Sequence, residues 1–600
     1  MSRKKKRLQE VPAKATPPAG VSRPKKLDMR VVWALVLFSL IAALVYANSF
    51  QGPFIWDDRY LIQENHFIKS FKYLADSFKN HLYYSTAGLS NFYRPLQTVL
   101  LLVDYHIWKL NPFGYHLTNL LFHILCAFFI YRLVDIIFKR RLIGFMTGLL
   151  FLVHPMNSTV VDYISSRADS QVTLFSVLSV YLFLRSIRAV NARAFYLGSL
   201  ASFFLALLSK ELAVIMPFLL IISIPAYFGY SASPERRAAL KKTVPFFIML
   251  AGYVLLRVTL LSWPNASNIK PPSMHIRLLT TCEAFTRLIG LMFFPTEIHI
   301  EKDLPFSSGF SQLSSMVSMG ILAAIASVAY IFRKRSRMLF FGIAWFFVAL
   351  IPMSSIVPIN ATIADHWLYL PCAGFFLACV GGAADLTGSL KAGGKKAARA
   401  ALICIFAFAV LAFSIRTVRQ NTVWAEPVKF YQLAIKHAPK SFRAYNEIGI
   451  IYMDQGKLDE SVAQFKKAVE LNTRFDQAYD NLGIAYDLKG EYANAIKAHK
   501  KAIGLNPNNA KIYNNLGNVY NKSGRFDEAV EVYNSALRMN PGYKAVYNNL
   551  GVVHYKRKDF DKARWHWEKT LEIDPDFKMA RDNLAVLKRL LKDKYGIESD

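Results

Sequence analysis

Asp57 and Asp58 stand side by side in Phe54-Ile55-Trp56-Asp57-Asp58-Arg59-Tyr60, just beyond an apolar stretch that ends near residue 49. Adjacent carboxylates repel one another, so one of them should hold its proton more tightly and be available as a base. The bland alternative is solvated loop charge, because an acidic doublet alone is a weak signal. Other polar groups recur at the ends of apolar stretches: Arg94 in Tyr93-Arg94-Pro95-Leu96, His154-Pro155, Ser165-Ser166-Arg167-Ala168-Asp169, Ser209-Lys210-Glu211, Arg257, and Asp365-His366-Trp367-Leu368-Tyr369. Each alone could be a helix terminus or a snorkelling anchor. Lys210 and Glu211, however, interrupt an otherwise unbroken apolar stretch, where an ionisable group costs about 3 kcal/mol. A lipid phosphate calls for Arg or Lys, and displacement at a sugar carbon calls for a carboxylate to take the proton of the incoming hydroxyl.

The elements that must hold these residues cross a membrane. Of 600 residues 53% are hydrophobic, 14% aromatic and 19% charged, against roughly a quarter charged in soluble chains. Residues up to 420 carry 44 basic and 18 acidic side chains, and residues 421 to 600 carry 29 and 23. The basic excess behind the net charge of +32 therefore belongs to the membrane part, which points to loops facing anionic lipid and away from nucleic acid. Residues 1–30 hold ten Lys or Arg and no cleavage pattern after them, as in a cytoplasmic tail before a retained anchor. The five cysteines, Cys126, Cys282, Cys372, Cys379 and Cys404, have neither metal-ligand nor redox spacing.

Apolar runs near 31–49, 116–138, 142–160, 171–187, 194–209, 212–230, 243–261, 313–332, 338–357, 367–387 and 400–419 predict eleven spans in an all-α fold. Starting inside, every dense basic cluster (139–141, 185–193, 235–242, 333–337, 391–399) falls on the cytoplasmic side. Two charged apolar segments, 95–110 and 277–294, would reverse that order if either alone crossed, and are read as amphipathic helices on the outer face. The acidic pair, the polar span ends named above and everything after residue 420 then share the extracytoplasmic face.

From residue 442 a period of 34 sets in: Gly449, Gly483, Gly517 and Gly551, three of them preceded by Asn481-Leu482, Asn515-Leu516 and Asn549-Leu550. Tyr452, Tyr486 and Tyr520 follow by three residues, and Pro507, Pro541 and Pro575 close the later units. This matches tetratricopeptide repeats at 442–475, 476–509, 510–543 and 544–577, after a half-repeat at 424–439 and before a capping helix at 578–594. Three domains follow: tail 1–30, membrane domain 31–420 and repeat domain 421–600. Stacked repeats present a groove, and Asn481, Asn515 and Asn549 are candidates to bind an extended acceptor backbone; bonds within their own helix pair are the alternative.

Taken in order, the Trp-Asp-Asp loop, the Arg-Pro-Leu segment at Arg94, Asn111-Pro112-Phe113-Gly114-Tyr115-His116, His154-Pro155, Arg167-Ala168-Asp169, Ser209-Lys210-Glu211 and the Asp365-to-Pro371 loop resemble the transmembrane and tetratricopeptide-repeat O-mannosyltransferases. These are GT-C-type membrane glycosyltransferases that use polyprenyl-phosphate sugars, and the likeness covers nearly all of the chain after residue 30. The resemblance implies a catalytic acidic pair at Asp57 and Asp58, with Asp57 favoured as base. Arg167, Lys210 and Arg257 are then candidates for the lipid phosphate, with Arg94, His154, Asp169, Glu211 and His366 nearby. His366 stands where relatives often carry Arg, which puts its contact with the donor phosphate in doubt. The resulting expectation is a bacterial inner-membrane enzyme, amino terminus cytoplasmic and repeats periplasmic, that moves a mannose-like sugar to Ser or Thr hydroxyls of a protein acceptor. Membrane lipid, the donor and a polypeptide are its expected partners. No cofactor or metal ligand set is implied, and the role of a divalent ion is left open. The rival is a non-enzymatic membrane scaffold for envelope assembly, for which eleven spans are more than an anchor needs.

Overall fold

A computed structural model describes residues 28–84, 91–229, 233–261, 272–296, 298–299, 302, 304–356 and 363–595. Residues 1–27 of the basic tail lie outside them. All regular structure among the described residues is helical.

Each of the eleven apolar stretches is helix: α1 Met29–Val45, then after α2 Pro95–Trp108, α3 Pro112–Phe138, α4 Arg141–Val153 with α5 Ser158–Asp162, α6 Arg167–Ser186, α7 Ala192–Ser209, α8 Met216–Phe228, and α9 Pro234–Lys241 with α10 Val244–Thr259. After α11 Met274–Phe293 come α12 Leu313–Phe332, α13 Arg337–Leu350, α14 Cys372–Gly388 and α15 Ala392–Ala425. Six described helices are long and apolar enough to cross, a seventh if the bent pair 141–162 is one span, and α1, α13 and α14 are shorter apolar helices. The expected span at 171–187 is α6, whose first turn bears Arg167, Asp169 and Gln171 and which is buried along most of its length. It occupies the centre of the bundle.

Polar and small residues make the close helix contacts, as expected where lipid removes the hydrophobic drive. Ser179 Oγ donates to the Ser199 carbonyl at 2.7 Å and Ser199 Oγ returns a bond to the Ser179 carbonyl at 2.7 Å, tying α6 to α7. At the α13–α14 crossing a Cβ on Gly342 would lie 2.5 Å from the Gly374 carbonyl oxygen, so glycine is required there.

The basic connections gather on one face. Arg141 pairs with Asp28 at 2.8 Å, the Tyr196 hydroxyl donates to the Lys242 carbonyl at 2.9 Å, the Lys139 and Arg188 cations lie over the Tyr227 ring, and Arg335 donates to Ser389 Oγ at 2.8 Å. Both amphipathic segments lie on the opposite face. α11 donates from Arg277 to the Ser355 carbonyl near its start, and its Met292 carbonyl accepts from His154 near its end; both partners belong to that face. α2 likewise runs from Arg94, bonded to Glu211, to the turn leading into α3.

The repeats follow as α16 Pro427–His437, the pairs α17 Phe442–Asp454 with α18 Leu458–Leu471, α19 Asp476–Leu488 with α20 Tyr492–Leu505, α21 Ala510–Lys522 with α22 Phe526–Met539, and α23 Lys544–Lys556 with α24 Phe560–Ile573, and then α25 Lys578–Tyr595. The period of 34 is explained by the ring that faces each small residue: a Cβ on Gly449, Gly483, Gly517 or Gly551 would meet Phe465, His499, Tyr533 or Trp567 at 2.4 to 2.6 Å. The expected boundary at residue 420 falls inside a helix, since α15 runs unbroken from the last span to Ala425.

Candidate active site

The long loop after α1 carries the acidic pair, and its conformation is set from the repeat side. Trp56 adopts a left-handed conformation, φ 53°, which costs a non-glycine residue about 1 kcal/mol. Its N–H donates to Tyr431 Oη at 2.9 Å, and its ring stacks on Tyr431 with centroids 5.8 Å apart and planes 21° apart. Ile55, Trp56 and Tyr163 share one apolar core with Trp424, Phe430, Tyr431, Ala444 and Ile448. The half-repeat helix α16 and the first full repeat thus clamp the loop at the residue before Asp57.

The two carboxylates face different surroundings. Asp58 is fully buried and accepts from Ile55 N–H at 3.2 Å, Ser165 N–H at 2.8 Å and Ser165 Oγ–H. Burial pushes its carboxyl up to about 7 against these three bonds, with the neighbouring Asp57 adding to the rise. Asp57 is half-buried, within electrostatic reach of the Tyr83 and Tyr163 phenols. On the repeat side it faces Glu447 of α17, whose carboxyl is pushed up to about 7 by burial while Arg59 opposes the rise. The geometry assigns Asp58 to holding the turn and leaves Asp57 as the half-exposed carboxylate.

Tyr83 connects this pair to a charged cluster, since the Arg94 guanidinium also acts on it. Arg94 Nε and Nη2 donate to Glu211 Oε2 at 3.2 and 3.1 Å, Lys210 Nζ donates to Asp169 Oδ1 at 2.7 Å, and Tyr93 N–H donates to Glu211 Oε1 at 3.2 Å. Arg257 joins at the rim, where its Nη2 donates to the Asn91 carbonyl at 2.6 Å and its guanidinium lies 5.7 Å from the Tyr93 ring centre. His366 faces Lys210, Asp169 and Arg94; burial first, then the Lys210 ammonium, lowers its imidazole to about 4. At neutral pH it therefore adds no positive charge. Its neighbour Asp365 is locked by Lys302 at 2.7 Å.

Three expectations need correction. Arg167 cannot face a phosphate as it stands: it is fully buried, paired with Asp104 at 2.6 Å, and donates from Nε to Asn119 Oδ1 at 2.7 Å and from Nη2 to the Tyr115 carbonyl at 3.1 Å. His154 lies apart from the cluster; Nε2 donates to the Met292 carbonyl, Nδ1 accepts from Met156 N–H, and the ring packs on Phe413 and Phe376. It holds the break between α4 and α5. The amide nitrogens of Asn481, Asn515 and Asn549 reach one repeat back, to Asn446 at 2.9 Å, Asp480 at 3.1 Å and Asn514 at 3.0 Å. They stitch repeats together through these amides.

Tyr83, Tyr163, Tyr431, Glu447 and Asp104 were not singled out from the sequence. Each becomes legible only through a partner distant in the chain, and no local motif marks any of them.

Fold and site together define a polytopic helical membrane domain whose acidic loop is joined to a tetratricopeptide array. Residues 101–263 match the family described as dolichyl-phosphate-mannose-protein mannosyltransferase, and residues 449–490, 488–524, 517–558 and 545–577 match tetratricopeptide repeats. A protein O-mannosyl-transferase of Caenorhabditis elegans is 24% identical over 489 residues, covering 79% of this chain and 67% of that protein. Protein O-mannosyl-transferase TMTC1 of Homo sapiens is 22% identical over 76% of this chain and 57% of its own length, and TMTC2 of Homo sapiens is 22% identical over 73% and 62%. The chain thus matches a mannosyltransferase family model over part of its membrane domain and tetratricopeptide models after it, is similar over most of its length to proteins named O-mannosyl-transferases, and spans about 57 to 67% of their length. The crystal structure of MamA aligns with 27% of this chain and 94% of its own, at 29% identity and a TM-score of 0.24.

Proposed function

We propose that this protein is a membrane glycosyltransferase that moves mannose from a polyprenyl-phosphate donor to Ser or Thr hydroxyls of an extracytoplasmic polypeptide held by its repeats. The observation that carries the reading is the difference between the two aspartates: Asp58 is buried and bonded inward, while Asp57 is half-exposed beside the Arg94–Lys210 cluster and the mouth of the repeat array. The family match and the relatives' printed names support the same chemistry.

In this reading the acceptor hydroxyl oxygen forms a bond to the sugar C1 as the C1–O bond to phosphate breaks, inverting that carbon. Asp57 takes the hydroxyl proton, and the polyprenyl phosphate leaves as an anion. Arg94, Lys210 and Arg257 stabilise that anion, with Glu211 and Asp169 holding the first two in place until the donor arrives. The donor-phosphate role expected of Arg167 passes to Arg94. We place the site on the extracytoplasmic face of a bacterial inner membrane.

The test is transfer in purified membranes given radiolabelled polyprenyl-phosphate mannose. Labelled protein with the wild-type chain and none with Asp57→Asn supports the reading. Equal labelling by both removes its centre.

A further inference from the structure

We infer that the seam between the acidic loop and the second and third repeats is a binding site for the backbone of an extended polypeptide. A cavity of about 380 Å³ opens there, within the range of small-ligand sites. Its wall on the membrane-domain side is Arg59, Tyr60 and Glu64, and its repeat wall includes Gln477, Asn481, Asn509 and Asn540. The site therefore belongs to neither domain alone.

The chemistry of the lining favours main chain over side chain. Gln477 accepts from the Tyr60 hydroxyl at 3.4 Å through Oε1, Asn509 Oδ1 accepts from Lys511 N–H at 3.1 Å, and Asn540 Oδ1 accepts from Gly542 N–H at 3.2 Å. In all three the oxygen is engaged locally, and the NH2 group has no partner among the described residues. Asn481 is the reverse, with its NH2 bonded to Asn446 and its carbonyl oxygen available. Three donors and one acceptor on one cavity offer partners to three C=O groups and one N–H of an extended chain. Of the charged lining residues, Arg59 pairs with Glu64 at 2.9 Å, Asp480 is held by the Asn515 amide at 3.1 Å and by His499 at 2.8 Å, and Lys511 is exposed; the other polar lining groups are neutral amides, suited to a neutral backbone.

Position ties this site to the chemistry. Arg59 and Tyr60 follow Asp57 by two and three residues, and Leu61 N–H donates to the Asp57 carbonyl at 2.9 Å, so the cavity wall and the proposed base share one turn. An acceptor lying in the seam is consequently held in fixed register with Asp57. This deepens, and rests on, the transferase reading above.

The test uses the full chain in lipid nanodiscs and a fluorescein-labelled decapeptide of Ala, Ser and Thr, together with the same peptide carrying (E)-alkene isosteres in place of alternate amides, which removes both C=O acceptors and N–H donors while keeping the side chains. Anisotropy titrations should show the all-amide peptide binding at least about tenfold tighter, a difference of 1.4 kcal/mol. Gln477→Leu and Asn509→Leu should each weaken it by a similar factor, while Asn494→Ala on the outer helix α20 should not. Equal binding of the two peptides by the wild-type chain overturns the inference even if a variant fails to fold. So does unchanged binding by both folded leucine variants, or no wild-type binding at about 1 mM. Transfer of radiolabelled mannose from polyprenyl-phosphate mannose to the Ser and Thr of the bound peptide, assayed in parallel, separates the two ideas: backbone-dependent binding with no transfer leaves the seam site standing and sinks the transferase reading.

Discussion

At the scale of the residue, neighbouring groups of the same type have been given different work by burial. Asp57→Asn keeps the shape of the side chain and removes the base, so transfer should fall on the order of 10²- to 10⁴-fold, with membrane insertion unchanged in a protease-protection assay. Asp58 titrates with the opposite interest. Its folded value of about 7 lies above the unfolded value near 4, so the folded protein binds that proton more tightly. The stability this contributes is complete below about pH 4 and is lost as pH rises to about 7. Asp58→Asn should therefore flatten the decline in melting temperature between those limits, and an unchanged slope would show that another group carries it. Glu447, also pushed up to about 7 by burial, contributes with the same sign. Arg167 and Asp104 supply a third case: Arg167→Met leaves a buried carboxylate unpaired and should cost about 3 to 5 kcal/mol in denaturation, whereas Arg167→Met with Asp104→Leu should recover most of that loss.

At the scale of the element, the decisive contact is α16 against the acidic loop. If recognition and chemistry were separable, a cut near residue 420, the expected domain boundary, would spare slow transfer to short peptides. The structure argues otherwise, because such a cut removes Trp424, Phe430 and Tyr431 from the core that includes Ile55 and Trp56. A chain ending at 420 is therefore expected to lose peptide transfer as well as protein transfer, and peptide transfer at wild-type rate would show that the loop holds its own shape. Tyr431→Phe keeps the stack and deletes one hydrogen bond to Trp56 N–H, worth about 1 kcal/mol, and should lower kcat more than it raises the acceptor KM. The repeats offer a further check. Gly456, Gly490 and Gly524 close their helix pairs at φ 73° to 76°, and Lys558 occupies the corresponding turn of the fourth at φ 65°. Lys558→Gly relieves that strain and should stabilise the repeat array by up to about 1 kcal/mol, seen as a higher thermal midpoint.

At the scale of the whole molecule, contacts bring the basic connections together on one face and the acidic loop, charged cluster and repeats together on the other. Reporter fusions near residues 235 and 440 should consequently give opposite sidedness. The same sidedness at both would break the arrangement. Sequence charge alone anticipates this sorting, because Lys and Arg beside a span resist translocation and each cluster can be counted along the chain. That the ends of α2 and α11 join the face of the acidic loop was legible for the same reason. The length of each crossing was less so: α1, α13 and α14 are shorter than the apolar runs they overlap, and α6 owes its place to packing around its polar turn.

Local periodicity by itself determined the helices and the repeats: apolar runs of sufficient length have no alternative to helix in lipid, and a 34-residue spacing of small and aromatic residues dictates how helix pairs stack. It also located Asp57, Asp58, Lys210, Glu211 and Asp169, since charge beside apolar sequence is conspicuous. What Arg167 does was decided only by tertiary structure. Its type suits a phosphate, but Asp104, 63 residues earlier in the chain, comes within 2.6 Å of it and nothing in either segment announces the other. The same holds for Tyr431 beneath Trp56 and for Glu447 opposite Asp57. A side chain's availability depends on which partners reach it first, and those partners are set by long-range packing that no local pattern encodes.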